Sequence, residues 1–221
     1  NLALKIGDKK SLTHAYNNLG IYYDRIGDFR TALDCYEESC EIRRQIGDKR
    51  GVSITYYNIG ILKNRIGQRD IGLEYFNKAK EIMEDANDIR GLVRVYLSIG
   101  HHLIDGGQKD DAVEYFEKAL KIAKEKSDAL FLGEVYTEYA NYYLAIDDMN
   151  KALECLDQAG RLISSKENEW LFTYYSMLSE IYTNIKDPKG LPYAEKAFKL
   201  ALESKIKQNE IEGLRNLGLR R

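Results

Sequence analysis

Apolar residues recur along this chain with the period of a helix, and the helices themselves recur with a longer period. Tyr16, Leu19, Gly20 and Tyr23 keep the i, i+3, i+4, i+7 spacing of one helical face, and Leu33, Tyr36, Cys40 and Ile46 mark a second. Gly27-Asp28 separates them, and Gly67-Gln68, Gly106-Gly107 and Asp147-Asp148 stand at corresponding points. Glycine tolerates the left-handed conformation that ends a helix, so each unit reads as an antiparallel helical hairpin with a short turn.

The longer period is 40 residues, held by Asp8, Asp48, Asp88 and Asp128 and continued by Asn168. Each precedes an apolar-periodic run, where its side-chain oxygen can accept from the unpaired N–H groups of a first helical turn. Tyr16, Tyr56, Tyr96 and Tyr136 follow in phase, then Gly20, Gly60, Gly100 and Ala140, then Ala32, Gly72, Ala112 and Ala152. Gly20 and Ala32 are small where two helices must cross closely. The series slips by one at Tyr175 and Ser179, and the missing residue is assigned to the short link around Asp187 and Pro188, where a deletion disturbs least. A single hairpin cannot bury both apolar faces, so neighbouring units must stack.

The spacing predicts five units, about 9–48, 49–88, 89–128, 129–168 and 169–207. Residues 1–8 read as the end of a preceding repeat, because Ile6-Gly7-Asp8-Lys9 copies Ile46-Gly47-Asp48-Lys49. Residues 208–221 read as the start of a sixth, and the chain is expected to be a piece of a longer protein that holds the output activity.

The run Tyr16-Asn17-Asn18-Leu19-Gly20-Ile21-Tyr22-Tyr23, followed by Gly27-Asp28, Ala32-Leu33 and Tyr36, resembles the tetratricopeptide repeat, and Tyr56 to Phe76 and Tyr96 to Phe116 repeat it. The 40-residue unit is longer than the usual one of about 34. It is similar to the extended repeats of Pins-type polarity adaptors, kinesin light chains and bacterial peptide-sensing regulators. The proline common at the end of the second helix is absent, and Arg44 and Glu84 stand near that point. The resemblance implies an all-α fold, a right-handed superhelical solenoid of antiparallel helix hairpins, whose first helices line a concave peptide- or protein-binding side.

Charged residues make up 31% of the chain but the formal net charge is only -2, so no global field attracts nucleic acid or an anionic membrane. Apolar runs such as Ala129-Leu130-Phe131-Leu132 fall far short of the roughly 18 residues of a spanning helix. Three cysteines, Cys35, Cys40 and Cys155, have no paired CxxC spacing, which fits buried thiols in a reducing cytoplasm. Cys35 and Cys155 take the repeat position of Tyr75 and Tyr115 and read as packing residues.

No enzyme site, metal or cofactor is expected. His101 and Asp105 are i, i+4 on one face but lack a third ligand, and no GxSxG or HExxH run occurs. Trp170 begins the first helix of the fifth unit and reads as packing on the fourth, with an anchor for a partner as the alternative.

The residues left free by the core face define the expected peptide track. They are His14, Asn17, Asn18, Ile21 and Arg25 in the first unit, and Tyr57, Asn58, Ile61, Asn64 and Arg65 in the second. Arg94 and His101 continue the track in the third. Asparagine can donate and accept at once, which suits the backbone of an extended peptide, and Ile21, Ile61 and Leu97 would add apolar contact. The carboxylate clamp of heat-shock chaperone binders is not reproduced, since Ile21 and Ile61 stand where its two asparagines would be. Arg25, Arg65 and Arg94 against Glu134, Glu138 and Glu180 predict an inner surface running from basic to acidic, with an acidic partner over the first three units. The chain is therefore read as a binding scaffold, the sensory or interaction segment of a signalling protein. The alternative is self-assembly through exposed repeat ends.

Overall fold

The computed structural model describes residues 8–126, 129–162 and 170–204, and every regular element among them is a helix. In chain order these are α1 Lys9–Arg25, α2 Phe29–Gln45, α3 Lys49–Arg65, α4 Arg69–Asp85 and α5 Ile89–Asp105, then α6 Lys109–Lys126, α7 Ala129–Ala145, α8 Met149–Arg161, α9 Trp170–Asn184 and α10 Gly190–Ser204. The expected partial repeats at both ends and the cap positions Asp128 and Asn168 lie outside the described residues.

Local chemistry starts the helices. Asp8, Asp28, Asp48, Asp88 and Asp148 each accept from the backbone N–H three residues on, at 2.9–3.2 Å. Gln68 stands at the same point before α4 without a side-chain cap bond. The turns close through one left-handed residue: Gly27, Gly47, Gly67 and Gly107 have φ between +72° and +83°, and Asn87, Asp147 and Lys186 take the same conformation.

Two compact units divide at Ala119 and Leu120. In the first, α1 pairs with α2 and α3 with α4, α2 packs on α3 and α4 on α5, and α1 touches α3 as α3 touches α5. The first helices of successive hairpins thus lie side by side. The hairpin interiors hold an aromatic and an alanine in register: Phe76 and Ala79, then Phe116 and Ala119, are all 0–1% exposed. Each buried ring of this kind contributes about 2–3 kcal/mol by the area it removes from water. Gly60 is required by this packing, since a Cβ there would lie 2.6 Å from the Phe76 ring and 3.1 Å from the Gly72 carbonyl.

In the second unit α7 pairs with α8, α9 with α10, and α9 packs on α7 and α8. Trp170 packs on Gly133, where a Cβ would come within 2.6 Å of the indole.

Three expectations are corrected. Leu19 is 42% exposed, whereas its counterparts Ile59 and Ile99 are at 1%, because those are covered by a preceding hairpin and α1 has none among the described residues. Ile46 is 38% exposed at the end of α2 rather than in its core. The register loss is also double. Buried Ser179 matches Ala140 at 39 residues, so one residue is lost ahead of Tyr175; buried Gly190 matches Ala152 at 38, so the turn at Asp187 accounts for a second loss.

Candidate binding face

The side-by-side arrangement of α1, α3 and α5 brings some of the expected track residues of neighbouring helices together. They are joined by rungs with a 41-residue stagger, one more than the sequence period. The Asn58 amide donates to the Asn17 carbonyl oxygen at 3.1 Å, and the Ser98 hydroxyl to the Tyr57 oxygen at 3.4 Å. The Arg65 guanidinium meets the Asp24 carboxylate at 2.8 Å. Neighbouring first helices are thus displaced so that the residue after each counterpart makes the contact.

The track residues differ in what they still offer. His14, Asn18, Arg25 and Arg94 are exposed, and Ile21, Tyr57, Asn58 and Ile61 are half-buried. Asn17 is only 8% exposed, and its carbonyl is used by the rung. Its Nδ2, like the Asn58 Oδ1, has no hydrogen-bond partner among the described residues. The half-buried His101 ring meets Phe116 edge to face at 5.2 Å.

Other members of the expected set are engaged elsewhere. The Asn64 oxygen is buried against Gly72, at the crossing of α3 and α4, with no hydrogen bond. Arg65 is neutralised by Asp24 and lies over the Phe29 ring at 5.6 Å, so the basic stripe reduces to Arg25 and Arg94, which have no carboxylate partner among the described residues. Leu97 is 5% exposed and belongs to the core. The role of Phe29 beneath Arg65 is the contact that sequence reasoning missed; its place at the start of α2, facing the last turn of α3, carries no periodic signal.

Sequence models of the tetratricopeptide repeat match residues 51–125 and 12–46. The chain belongs to the tetratricopeptide-repeat family. No curated protein matches it. Among solved structures, a Rap protein complexed with Competence and Sporulation Factor superposes with a TM-score of 0.75 at 17% identity, covering 94% of this chain and 65% of that one. NprR in complex with its cognate peptide NprX gives 0.72 at 15%, covering 93% and 59%. A putative kinesin light chain from Podosopora anserina with nearly identical repeats gives 0.61 at 16%, covering 88% and 96%. The tetratricopeptide chain thus spans less than two thirds of the length of the Rap and NprR structures, and at these identities the likeness shows the all-α repeat fold.

Among the described residues of these repeats, no three His, Cys, Asp or Glu side chains converge as a metal ion would require, and no helix is long and apolar enough to cross a membrane. The thiols are unactivated: burial pushes Cys35 and Cys40 up, and Cys155 up to about 11.

Proposed function

We propose that the face formed by α1, α3 and α5 binds an extended peptide or protein segment, and that the chain is the sensory or interaction part of a larger, cytoplasmic regulatory protein without catalysis of its own. The observation that carries this reading is the Asn17–Asn58 rung. It locks two amides together while leaving the Asn17 donors and the Asn58 acceptor unspent, a pairing that matches the N–H and C=O of one residue of an extended chain. Ile21 and Ile61 supply apolar contact beside it, and exposed Arg25 and Arg94 favour an acidic segment. The complexes of the neighbours, Rap with Competence and Sporulation Factor and NprR with its cognate peptide, support the same reading. The division into five hairpin units is kept, with the track on the first three.

Selection of linear peptides on the purified chain, followed by calorimetry with versions N-methylated at single backbone positions, tests this. Methylation at the residue that meets the rung should weaken binding about tenfold, because it removes one backbone donor. Binding that tolerates methylation at every position would refute backbone capture.

A further inference from the structure

The two unpaired arginines of the first-helix face stand at opposite corners of it. Arg25 ends α1, directly after Asp24, whose carboxylate holds Arg65 of α3. Arg94 lies near the start of α5, one helical turn before Ser98, whose hydroxyl reaches Tyr57 of α3. Each arginine therefore neighbours a residue through which adjacent first helices are joined. Both are exposed, and neither has a carboxylate partner among the described residues. The opposite diagonal runs from His14 on α1 to Asp105 on α5, and Asp105 is held by Arg69 at 3.1 Å. A segment with two acidic groups is thus attracted along one diagonal and meets a carboxylate on the other.

Helix geometry gives the length of the basic diagonal. Asn17–Asn58, Tyr57–Ser98 and Asp24–Arg65 each join residues 41 apart, so matching levels drift by one residue from helix to helix. With that drift, Arg25 lies about 13 residues, or roughly 20 Å of helix rise, from the level of Arg94. Two spacings between neighbouring helices add about 16–20 Å sideways. The backbones at the two arginines are then roughly 27 Å apart, a span that an extended chain covers in about eight residues.

The straight path between the arginines crosses α3 at the level between Asn58 and Ile61. Asn58 belongs to the rung with Asn17, which is only 8% exposed and whose Nδ2 has no hydrogen-bond partner among the described residues. A backbone-pairing amide and an apolar side chain therefore stand midway between two cations.

We infer that the ligand of this face is a linear segment with two acidic side chains about eight residues apart and an uncharged stretch between them. Each acid meets one arginine, and the middle of the segment lies over Asn58 and Ile61. The inference rests on the binding reading of α1, α3 and α5, and adds to it the spacing that selects the ligand and sets its register. Two exposed ion pairs add modestly to affinity, so their effect is a preference among segments of equal charge.

Fluorescein-labelled, amidated peptides of serine, threonine and valine test it by anisotropy, each of the same length and carrying two aspartates at separations from two to twelve positions. Affinity should peak near a separation of eight, about threefold to tenfold above the peptide with aspartates four apart. Arg25→Gln or Arg94→Gln alone should remove the peak. Either should leave the four-spaced peptide within about twofold, since it still finds the other arginine. Asn17→Ala with Asn58→Ala should weaken the whole series and keep the peak where it is. A flat profile among peptides that the asparagine variant weakens would overturn the spacing and leave backbone capture standing. Peptides indifferent to that variant would remove the binding reading and the spacing with it. Absence of binding by the eight-spaced peptide, or a peak that survives Arg25→Gln, would also overturn the inference.

Discussion

His102 opposes burial to protonation. Its side chain is 7% exposed, Nδ1 has no hydrogen-bond partner, and Arg69 donates to its backbone oxygen at 2.8 Å. Burial, then the Arg69 charge, lower its pKa from 6.5, with Asp70 and Asp105 opposing. The unfolded chain therefore takes up the proton more readily. The contribution of His102 to stability is whole above the ordinary imidazole value and is lost progressively as the pH falls below it. His102→Leu, the residue that α3 carries as Leu62, should remove this loss. Denaturant unfolding should show the variant gaining on the wild type between about pH 7 and pH 5, and parallel profiles would contradict the assignment. Arg43 poses the converse case, a cation 2% exposed that donates to the Gly51 oxygen at 2.5 Å and the Thr55 hydroxyl at 2.7 Å. The next repeat has Met83 and Val95 at these two positions. Arg43→Met alone should cost about 1–3 kcal/mol, whereas adding Thr55→Val should recover part of it, because the Thr55 hydroxyl then leaves together with the guanidinium while the Gly51 oxygen stays. An additive double mutant would exclude that coupling.

At the scale of the helices, caps and turns decide boundaries. Asp48→Ala should cost about 1 kcal/mol in unfolding experiments, since it frees the Gly51 N–H that Asp48 holds at 2.9 Å. Gly60→Leu should overpack against Phe76 and cost on the order of 1–3 kcal/mol. These features were legible in the sequence because they are local: an aspartate before a helix and a glycine after it do their work within four residues. Leu19 was not, because its exposure depends on whether another hairpin covers α1. Nor was Asn64, whose oxygen is buried by Gly72 across a crossing that helical periodicity does not encode. The paired losses in the last repeat were misplaced for a related reason, since buried Ser179 and Gly190 had to be aligned with Ala140 and Ala152 before either could be located.

For the molecule as a whole, the period of 40 was enough to give the all-α repeat fold, since a hairpin copied in phase must stack. The binding face was only half legible. Its residues could be named from the positions the core leaves free, but the stagger that joins Asn17 to Asn58, Tyr57 to Ser98 and Asp24 to Arg65 arises between helices and changes which groups remain available. Arg25→Glu with Arg94→Glu should slow association with an acidic peptide and flatten its salt dependence, whereas reversal of Arg65 would first break the pair with Asp24. The central claim is tested most directly by the calorimetric affinity of a selected linear peptide for the chain carrying Asn17→Ala and Asn58→Ala. The account predicts weakening of about 1–3 kcal/mol, roughly tenfold to a hundredfold, in a protein that still melts cooperatively. Unchanged affinity in that folded variant would contradict it.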